Sequence, residues 1–192
     1  RPALARGNPA DHLRPVLALA LHWYAALDEA HRHHLVVARE DQPAEELVVP
    51  MCRVLEAMND APMQAGLEPS QFTPAIYDAN QKSMEASGRV GWHAAVMDDQ
   101  TGELVAYTEI GQGRHHPSVA GQGLTCVDPG HRGRGIGKWV KAENLRITLA
   151  DHPHVETITT DNAGANDPML AINRALGFRT VRTWQSCSLE VP

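Results

Sequence analysis

The chain has 192 residues, of which 43% are hydrophobic and 21% are charged. This length suits one domain, with or without an appendage, and the composition excludes a chain that is disordered throughout. No run of about 18 apolar residues occurs, so no transmembrane helix and no membrane partner are predicted. The net charge of −6 disfavours nucleic-acid binding and favours an amine-bearing or cationic small partner.

The cysteine content indicates a reducing compartment. Three cysteines are an odd number, and they stand far apart without a C-x-x-C pattern: Cys52, Cys126 and Cys187. We therefore expect a cytoplasmic protein. Residues 31–34 read H-R-H-H, but no third ligand pattern accompanies them. We interpret these histidines as surface residues and expect no metal.

The hydrophobic pattern and the turn residues predict the secondary structure in chain order. Residues 1–15 are rich in Pro and predict a linker or a frayed end, and the start at Arg1 instead of Met predicts a processed or truncated chain. The predicted elements are a helix over 16–32, a strand over 35–38, helices over 43–58 and 73–87, strands over 92–97, 103–110 and 120–127, a helix over 135–149, a strand over 155–160, a helix over 166–176 and a strand over 180–189. This order predicts an α/β fold with helices packed on a mixed sheet.

A glycine-rich segment, residues 127–138 (VDPGHRGRGIGK), joins a predicted strand to a predicted helix. Glycines allow tight turns and let backbone N–H groups approach a ligand closely. The N-terminus of the helix that follows adds its dipole and its free N–H groups. Together with the charges of Arg132, Arg134 and Lys138, these features predict a phosphate or pyrophosphate site.

Two common phosphate loops do not fit this segment. A Walker loop needs Gly where Arg132 stands and Ser or Thr where Trp139 stands. A dinucleotide fingerprint needs a third Gly where Lys138 stands. The pattern that remains is R-x-x-G-x-G, formed by Arg132, Gly135 and Gly137.

This loop resembles the acyl-coenzyme A loop of the GCN5-related N-acetyltransferases (GNAT), and the V-x-P before it matches the usual lead-in. An Asn-containing loop followed by a helix that ends in Leu176-Gly177-Phe178 supports the resemblance. The amino-acid sequences of four segments resemble those of an actinobacterial branch of this family that has tandem domains and is similar to mycothiol synthase. The segments are residues 58–62, 107–109, 122–125 and 168–173. The resemblance implies a mixed, mostly antiparallel sheet with helices on both faces. It makes residues 31–192 the GNAT domain and residues 1–30 a linker or the remnant of an upstream domain.

The resemblance also implies acetyl-coenzyme A as co-substrate, and it implies where that molecule would bind. The backbone of Cys126 would polarise the thioester carbonyl, and the backbone of Cys126 and Val127 would hold the pantetheine arm. The remaining residues implied for binding are Arg132, Gly133, Arg134, Gly135, Ile136, Gly137, Lys138, Asn162, Asn166, Met169 and Asn173. We interpret the Cys126 side chain as a small strand residue and not as a nucleophile, since no His is paired with it in the sequence.

Acetyl transfer to an amine needs a base, and Glu109 is the candidate. By strand alternation it shares a face with Tyr107, which we assign with Asp60 to the substrate side. A solvent-facing Glu109 and an Asp60 that only ends a helix are the alternative interpretations. The sequence departs from the family at Asn173, where many members carry a Tyr that acts as general acid. Either the thiolate leaves unassisted, or water or another residue supplies the proton; the alternative role of Asn173 is a hydrogen bond to coenzyme A.

Two functions are consistent with these residues. The first is an acetyl-coenzyme A-dependent N-acetyltransferase acting on a small primary amine by direct attack in a ternary complex. The second is a catalytically degenerate domain that binds coenzyme A or serves as a scaffold. The position of Glu109 discriminates between them, because a base must face the thioester strand across an open cleft. The sequence identifies neither the acceptor amine nor the oligomeric state.

Overall fold

The computed structural model describes residues 34–38, 45–62 and 68–185, together with residues 187 and 189. The helix predicted over 16–32 and the assignment of residues 1–30 lie outside these residues. Within the described residues, five strands form one sheet in the order β1-β2-β3-β4-β5. The strands are β1 (His34–Ala38), β2 (Arg89–Met97), β3 (Leu104–Gly113), β4 (Val119–Val127) and β5 (Thr157–Thr159).

Four α-helices and two short 3-10 helices (Glu56–Asp60 and Pro129–His131) accompany the sheet in the described part of the chain. The α-helices are α1 (Glu45–Leu55), α2 (Pro74–Ala86), α3 (Ile136–Asp151) and α4 (Asp167–Ala175). Local capping explains two of the helix starts. Thr73 accepts a hydrogen bond from the N–H of Ile76 before α2, and the Asn166 side chain accepts one from the N–H of Met169 before α4. Each of these helices also has Pro in its first turn, where its missing N–H costs little.

Helices cover both faces of the sheet. On one face, α3 forms a buried cluster with β2 and β3 that contains Ala94, Val96, Val105, Ala106, Ile136, Trp139 and Val140. On the other face, α1 forms a second cluster with β3 and β4 that contains Met51, Val54, Leu55, Leu104, Tyr107 and Cys126. The predicted class, a mostly antiparallel mixed sheet with helices on both faces, is confirmed.

The sheet opens between β4 and β5. Neighbouring strands from β1 to β4 pair antiparallel, whereas β4 and β5 run parallel and pair only over Val119–Gly121 and Thr157–Thr159. The second half of β4 therefore has no strand neighbour on this side among the described residues. This separation creates the space in which the predicted site residues gather.

The strand predicted over 180–189 is wrong for the described residues of that range, none of which is in a strand. Val181 is 92% exposed and Trp184 is 66% exposed, so neither packs on the sheet. Alternating apolar residues favour a strand locally, but a strand also needs a hydrogen-bonding neighbour, which these residues lack here.

Candidate active site

A cavity of about 870 Å³ occupies the opening between β4 and β5. The glycine-rich segment, the start of α3 and Glu109 of β3 all contribute to its wall. The predicted residues that line the cavity are Asp60, Glu109, Cys126, Val127, Arg132, Gly133, Gly135, Ile136, Gly137, Lys138, Asn162, Asn166 and Met169. Three other predicted residues do not line it: Arg134 is exposed, and Tyr107 and Asn173 are buried.

The glycine-rich segment turns into α3 through two residues with left-handed backbone angles. Gly133 has φ of 78° and Gly135, the N-cap of α3, has φ of 82°. Residues with a Cβ adopt this conformation only at a cost, so these glycines permit the turn. The first N–H groups of a helix have no intrahelical acceptor, and here they belong to Ile136 and Gly137 on the cavity wall. The segment has the geometry of an anion site.

Arg132 and Asp60, predicted separately for cofactor and substrate, contact each other at the cavity. Arg132 Nη2 lies 2.7 Å from Asp60 Oδ2 and 3.3 Å from the carbonyl oxygen of Ala57, and Arg132 Nε donates to the carbonyl oxygen of Val127 at 3.0 Å. The guanidinium thus connects the turn after α1 with the end of β4. Both side chains are about half exposed, so the ion pair adds little stability. Its effect is to hold one rim of the cavity.

Glu109 sits at a β-bulge. Thr108 pairs with Thr125 and Ile110 pairs with Gln122, so Glu109 alone faces both Gly123 and Leu124 of β4. Bulges redirect side chains and are common beside active sites. Glu109 Oε1 accepts a hydrogen bond from the N–H of Leu124 at 3.2 Å. A Cβ on Gly123 would lie 2.5 Å from the same oxygen, so the glycine makes room for the carboxylate.

A buried chain of hydrogen bonds supports Glu109. The Tyr107 hydroxyl donates to Glu109 Oε2 at 2.9 Å and lies 2.5 Å from His93 Nδ1. Since the single hydroxyl proton goes to Glu109, His93 Nδ1–H donates to the hydroxyl oxygen. Burial first, and then the neighbouring Glu109, raises the pKa of Tyr107 well above its usual value, which keeps this donor protonated. The structure therefore places Tyr107 behind Glu109, as its hydrogen-bond partner.

Tyr107→Phe is expected to lower the free energy of unfolding by about 1–3 kcal/mol, because it leaves the buried His93 Nδ1–H without its acceptor. Urea denaturation measures the change. Tyr77→Phe is the matched control, because the Tyr77 hydroxyl is bonded to Gln81 of its own helix, and we expect it to cost less than about 1 kcal/mol. Equal losses in the two variants would contradict the proposed chain.

Cys126 lies in the cavity wall with its side chain in the core. Burial, followed by the charge of Glu109, raises the pKa of its thiol to about 12. A thiol with this pKa holds almost no thiolate near neutral pH, and only the thiolate is a good nucleophile. This supports the interpretation of Cys126 as a residue that would contribute its backbone and not its sulfur.

Lys141 of α3 is buried beside Asn173 of α4. The lysine is 1% exposed, and its Nζ donates to Asn173 Oδ1 at 2.8 Å. Nζ also lies 3.9 Å from Met169 Sδ and 5.6 Å from the centre of the Phe178 ring. No carboxylate within the described ranges forms an ion pair with it. Burial lowers the pKa of Lys141 to about 8.

This pKa predicts a dependence of stability on pH. An unfolded lysine has a pKa of about 10.4, so between about pH 8 and pH 10.4 the unfolded chain holds a proton that the folded chain has released. Stability therefore rises with pH across this window. Relative to Lys141→Met, the wild type is expected to gain about 3 kcal/mol between pH 7 and pH 10.5, since each pKa unit corresponds to about 1.4 kcal/mol.

Urea denaturation of the two proteins at several pH values measures this gain. Lys82→Met, which removes an exposed lysine on α2, is the control and is expected to show no such difference from wild type. A constant difference between wild type and Lys141→Met at all pH values would show that Lys141 keeps an ordinary pKa in the folded chain.

The loop before α4 completes the cavity. Asn166 uses its side-chain oxygen to cap α4, and Asn162 Nδ2 lies 3.5 Å from Thr160 Oγ1. Met169 and Ile172 of α4 face the cavity beside Lys141. The predicted residues of this loop are thus at the cavity, although the Asn166 oxygen is already used within the fold.

Sequence reasoning missed Gly123, Leu124, His93 and Lys141. The first two are set by the bulge, whose register no local pattern indicates. His93 lies in an apolar strand, where a lone His could have been noted as a buried polar group. Lys141 follows Gly137 by one helical turn in a mostly apolar stretch, and this placement was a usable signal for a lysine that faces the interior.

Two further observations bear on function. Among the described residues, no group of three or more His, Cys, Asp or Glu side chains could hold a metal ion. In the same part of the chain, no helix is long and apolar enough to span a membrane.

Comparison with known proteins gives structural relatives only, since no family model and no curated protein matches the chain. A tandem GNAT protein from the clavulanic acid biosynthesis pathway is 29% identical, with a TM-score of 0.64, over 79% of this chain and 42% of that one. The chain thus spans less than half of that protein.

Two further solved structures share the fold at low identity. AAC(6')-Iy in complex with the bisubstrate analogue CoA-S-monomethyl-acetylneamine has a TM-score of 0.55 at 14% identity, over 82% of this chain and 99% of that one. Glucosamine-6-phosphate N-acetyltransferase from Arabidopsis thaliana has a TM-score of 0.53 at 11% identity, over 83% of this chain and 99% of that one.

The chain has the fold of the GNAT acetyltransferases. This shared fold agrees with the resemblance to the GNAT family seen in the loop sequence. The similarity to the actinobacterial branch stays a prediction.

Proposed function

We propose that this chain is an acetyl-coenzyme A-dependent N-acetyltransferase that acetylates a primary amine of a small molecule by direct attack in a ternary complex. One observation carries the proposal: a single cavity joins an anion-binding loop at the start of α3 to the carboxylate of Glu109. A phosphate-bearing acyl donor and a base for the acceptor amine would share this cavity. The scaffold alternative requires no such arrangement and is not favoured.

The residues at the cavity fit coenzyme A. The N–H groups of Ile136 and Gly137 and the charge of Lys138 would bind its phosphates. A Cβ on Gly137 would lie 3.3 Å from side-chain carbons of both Val127 and Ile172, a tight contact, so the glycine lets these two side chains pack closely against the start of α3. Bound there, acetyl-coenzyme A supplies an acetyl group activated as a thioester.

Glu109 is the proposed base. Its carboxylate lines the cavity and is fixed by the N–H of Leu124 and the hydroxyl of Tyr107. A fixed carboxylate can accept the proton that the acceptor amine must lose. The backbone at Cys126, on the cavity wall of β4, is the proposed support for the thioester carbonyl.

A small amine is the proposed acceptor class. The acidic net charge of −6 favours a cationic partner, and Asp60 adds a carboxylate at the cavity. Two relatives of the same fold point to amino sugars or related amines, since one acts on glucosamine 6-phosphate and the other is bound to a bisubstrate analogue containing acetylneamine. An upstream tandem domain, as in the clavulanic acid pathway protein, is part of this proposal.

A thermal melt with excess acetyl-coenzyme A tests the proposal first. At 100 times the dissociation constant, the ligand adds about 2.7 kcal/mol, which raises the Tm of a chain of this size by roughly 5–10 °C. A panel of amino sugars and polyamines is then tested for release of the coenzyme A thiol. A cooperative melt that acetyl-coenzyme A does not shift would contradict the proposal.

A further inference from the structure

Lys141 occupies a particular place on the cavity wall. It follows Gly137 by four residues on α3, so it lies one helical turn, about 6 Å, further from the anion-binding end. Both residues line the cavity, and Lys141 is joined to α4 through its hydrogen bond to Asn173. Its amine therefore lies beyond the phosphate end of the cavity, on the wall formed by α3 and α4.

Structural stability does not explain this lysine. Placing an amine among apolar groups costs free energy unless a partner compensates its charge. Within the described residues, Lys141 Nζ forms no hydrogen bond or ion pair with the titratable and charged groups of the elements around α3. These groups are Arg89 and His93 of β2, Tyr107 and Glu109 of β3, Cys126 of β4, and Asp167 and Arg174 of α4. A methionine or leucine would fill the same space without that cost.

We propose that Lys141 is the proton donor to the sulfur of the departing coenzyme A, and that Asn173 is the positioning residue that orients its amine. The inference rests on the proposed function, because it assumes that acetyl-coenzyme A occupies the cavity. The proposed acid, Lys141, thus lies on α3, and the proposed base, Glu109, lies on β3 of the same cavity.

The proposed step moves one acetyl group and conserves protons and electron pairs. The acceptor nitrogen forms a bond to the acetyl carbon and gives its proton to Glu109. The bond between the acetyl carbon and sulfur breaks, and the sulfur keeps the electron pair. A proton moves from Lys141 Nζ to that sulfur and yields the coenzyme A thiol. Glu109 then returns its proton to solvent, and the neutral Lys141 amine takes one from solvent.

The acid strength of Lys141 suits this transfer. A thiol has a pKa of about 8.5, and burial brings the pKa of Lys141 to about 8. A general acid is most effective when its pKa lies near the working pH, since it is then largely protonated and still releases its proton readily. Two other donors at the cavity fit less well, since Arg132 does not release its proton and the Cys126 thiol has a pKa of about 12.

The experiment titrates the thiol of bound coenzyme A by its ultraviolet thiolate absorbance, after subtraction of the protein alone. An adjacent ammonium favours the thiolate, so the pKa of the bound thiol is expected to be lower in wild type than in Lys141→Met by about one unit or more. At one pH below both values, this is about a tenfold difference in thiolate fraction. Lys82→Met, the exposed control, is expected to match wild type.

A second variant separates charge from proton donation. Lys141→Arg keeps a positive charge but does not release a proton near neutral pH. It is expected to retain the low pKa of the bound thiol while kcat for the best amine falls about 100-fold. Circular dichroism and thermal melts establish that both variants are folded.

The outcomes separate the two proposals. Equal pKa values for the bound thiol in wild type and Lys141→Met, with coenzyme A bound to both, overturn the role of Lys141 and leave the proposed function standing. A kcat of Lys141→Arg equal to that of wild type also overturns it. Absence of coenzyme A binding to the wild-type chain overturns both proposals.

Discussion

Glu109→Gln is expected to lower kcat by about 100- to 10,000-fold, because an amide of nearly the same shape cannot accept the proton of the acceptor amine. The rate is measured as release of the coenzyme A thiol with the amine that reacts fastest in the panel. Binding of acetyl-coenzyme A should persist, since Glu109 faces the middle of β4 whereas the anion-binding loop follows the end of β4. The shift in Tm caused by acetyl-coenzyme A is therefore expected to stay within about 2 °C of the wild-type shift.

Glu103→Gln is the matched control for this variant. Glu103 immediately precedes β3, and its exposed carboxylate pairs with Arg53 at 3.1 Å. An exposed pair of this kind contributes little, so both kcat and Tm should stay close to the wild-type values. If Glu109→Gln retained more than about a third of the wild-type kcat, Glu109 would not be the base, since loss of a general base costs far more.

Gly135→Ala is expected to weaken coenzyme A binding by about tenfold or more, equivalent to about 1.4 kcal/mol. Gly135 has φ of 82° at the N-cap of α3, a conformation in which a Cβ costs roughly 1–2 kcal/mol. Relief of that strain would rotate the loop and displace the N–H groups that face the cavity. Isothermal titration calorimetry with coenzyme A measures the change in affinity.

Gly102→Ala provides the control with the same backbone strain. Gly102 has φ of 71° in the turn between β2 and β3, and a Cβ there would contact nothing within 4 Å. Both variants should lose a similar amount of stability, about 1 kcal/mol, but only Gly135→Ala should lose affinity. Equal affinities in the two variants would mean that the loop before α3 does not hold the phosphates.

Local signals explain why much of the fold could be predicted. The helix after the glycine-rich segment begins at Ile136, next to the predicted boundary, because the glycines and the apolar spacing act within a few residues. The strands that contain Glu109 and Cys126 were predicted from runs of apolar and β-branched residues. Strand alternation also placed Tyr107 and Glu109 on one face, and their hydrogen bond confirms that placement.

Long-range contacts explain what the sequence did not predict. The strand predicted over 180–189 had the right local pattern, but its described residues pair with no neighbour. The predicted roles of Asp60 and Arg132 were separate, whereas the structure joins the two side chains across 72 positions in sequence. Tyr107 was assigned to the substrate side, and its burial became visible only when α1 was packed on the sheet.

The sequence by itself determined the glycine-rich turn into α3, the order of most elements and the resemblance that directs attention to acetyl-coenzyme A. Each of these depends on residues close together in the chain. Two features depend on the tertiary structure alone. They are the bulge that directs the Glu109 side chain over Gly123 and the burial of Lys141 against Asn173. Register between strands and burial between helices depend on contacts among distant residues, which no local pattern encodes.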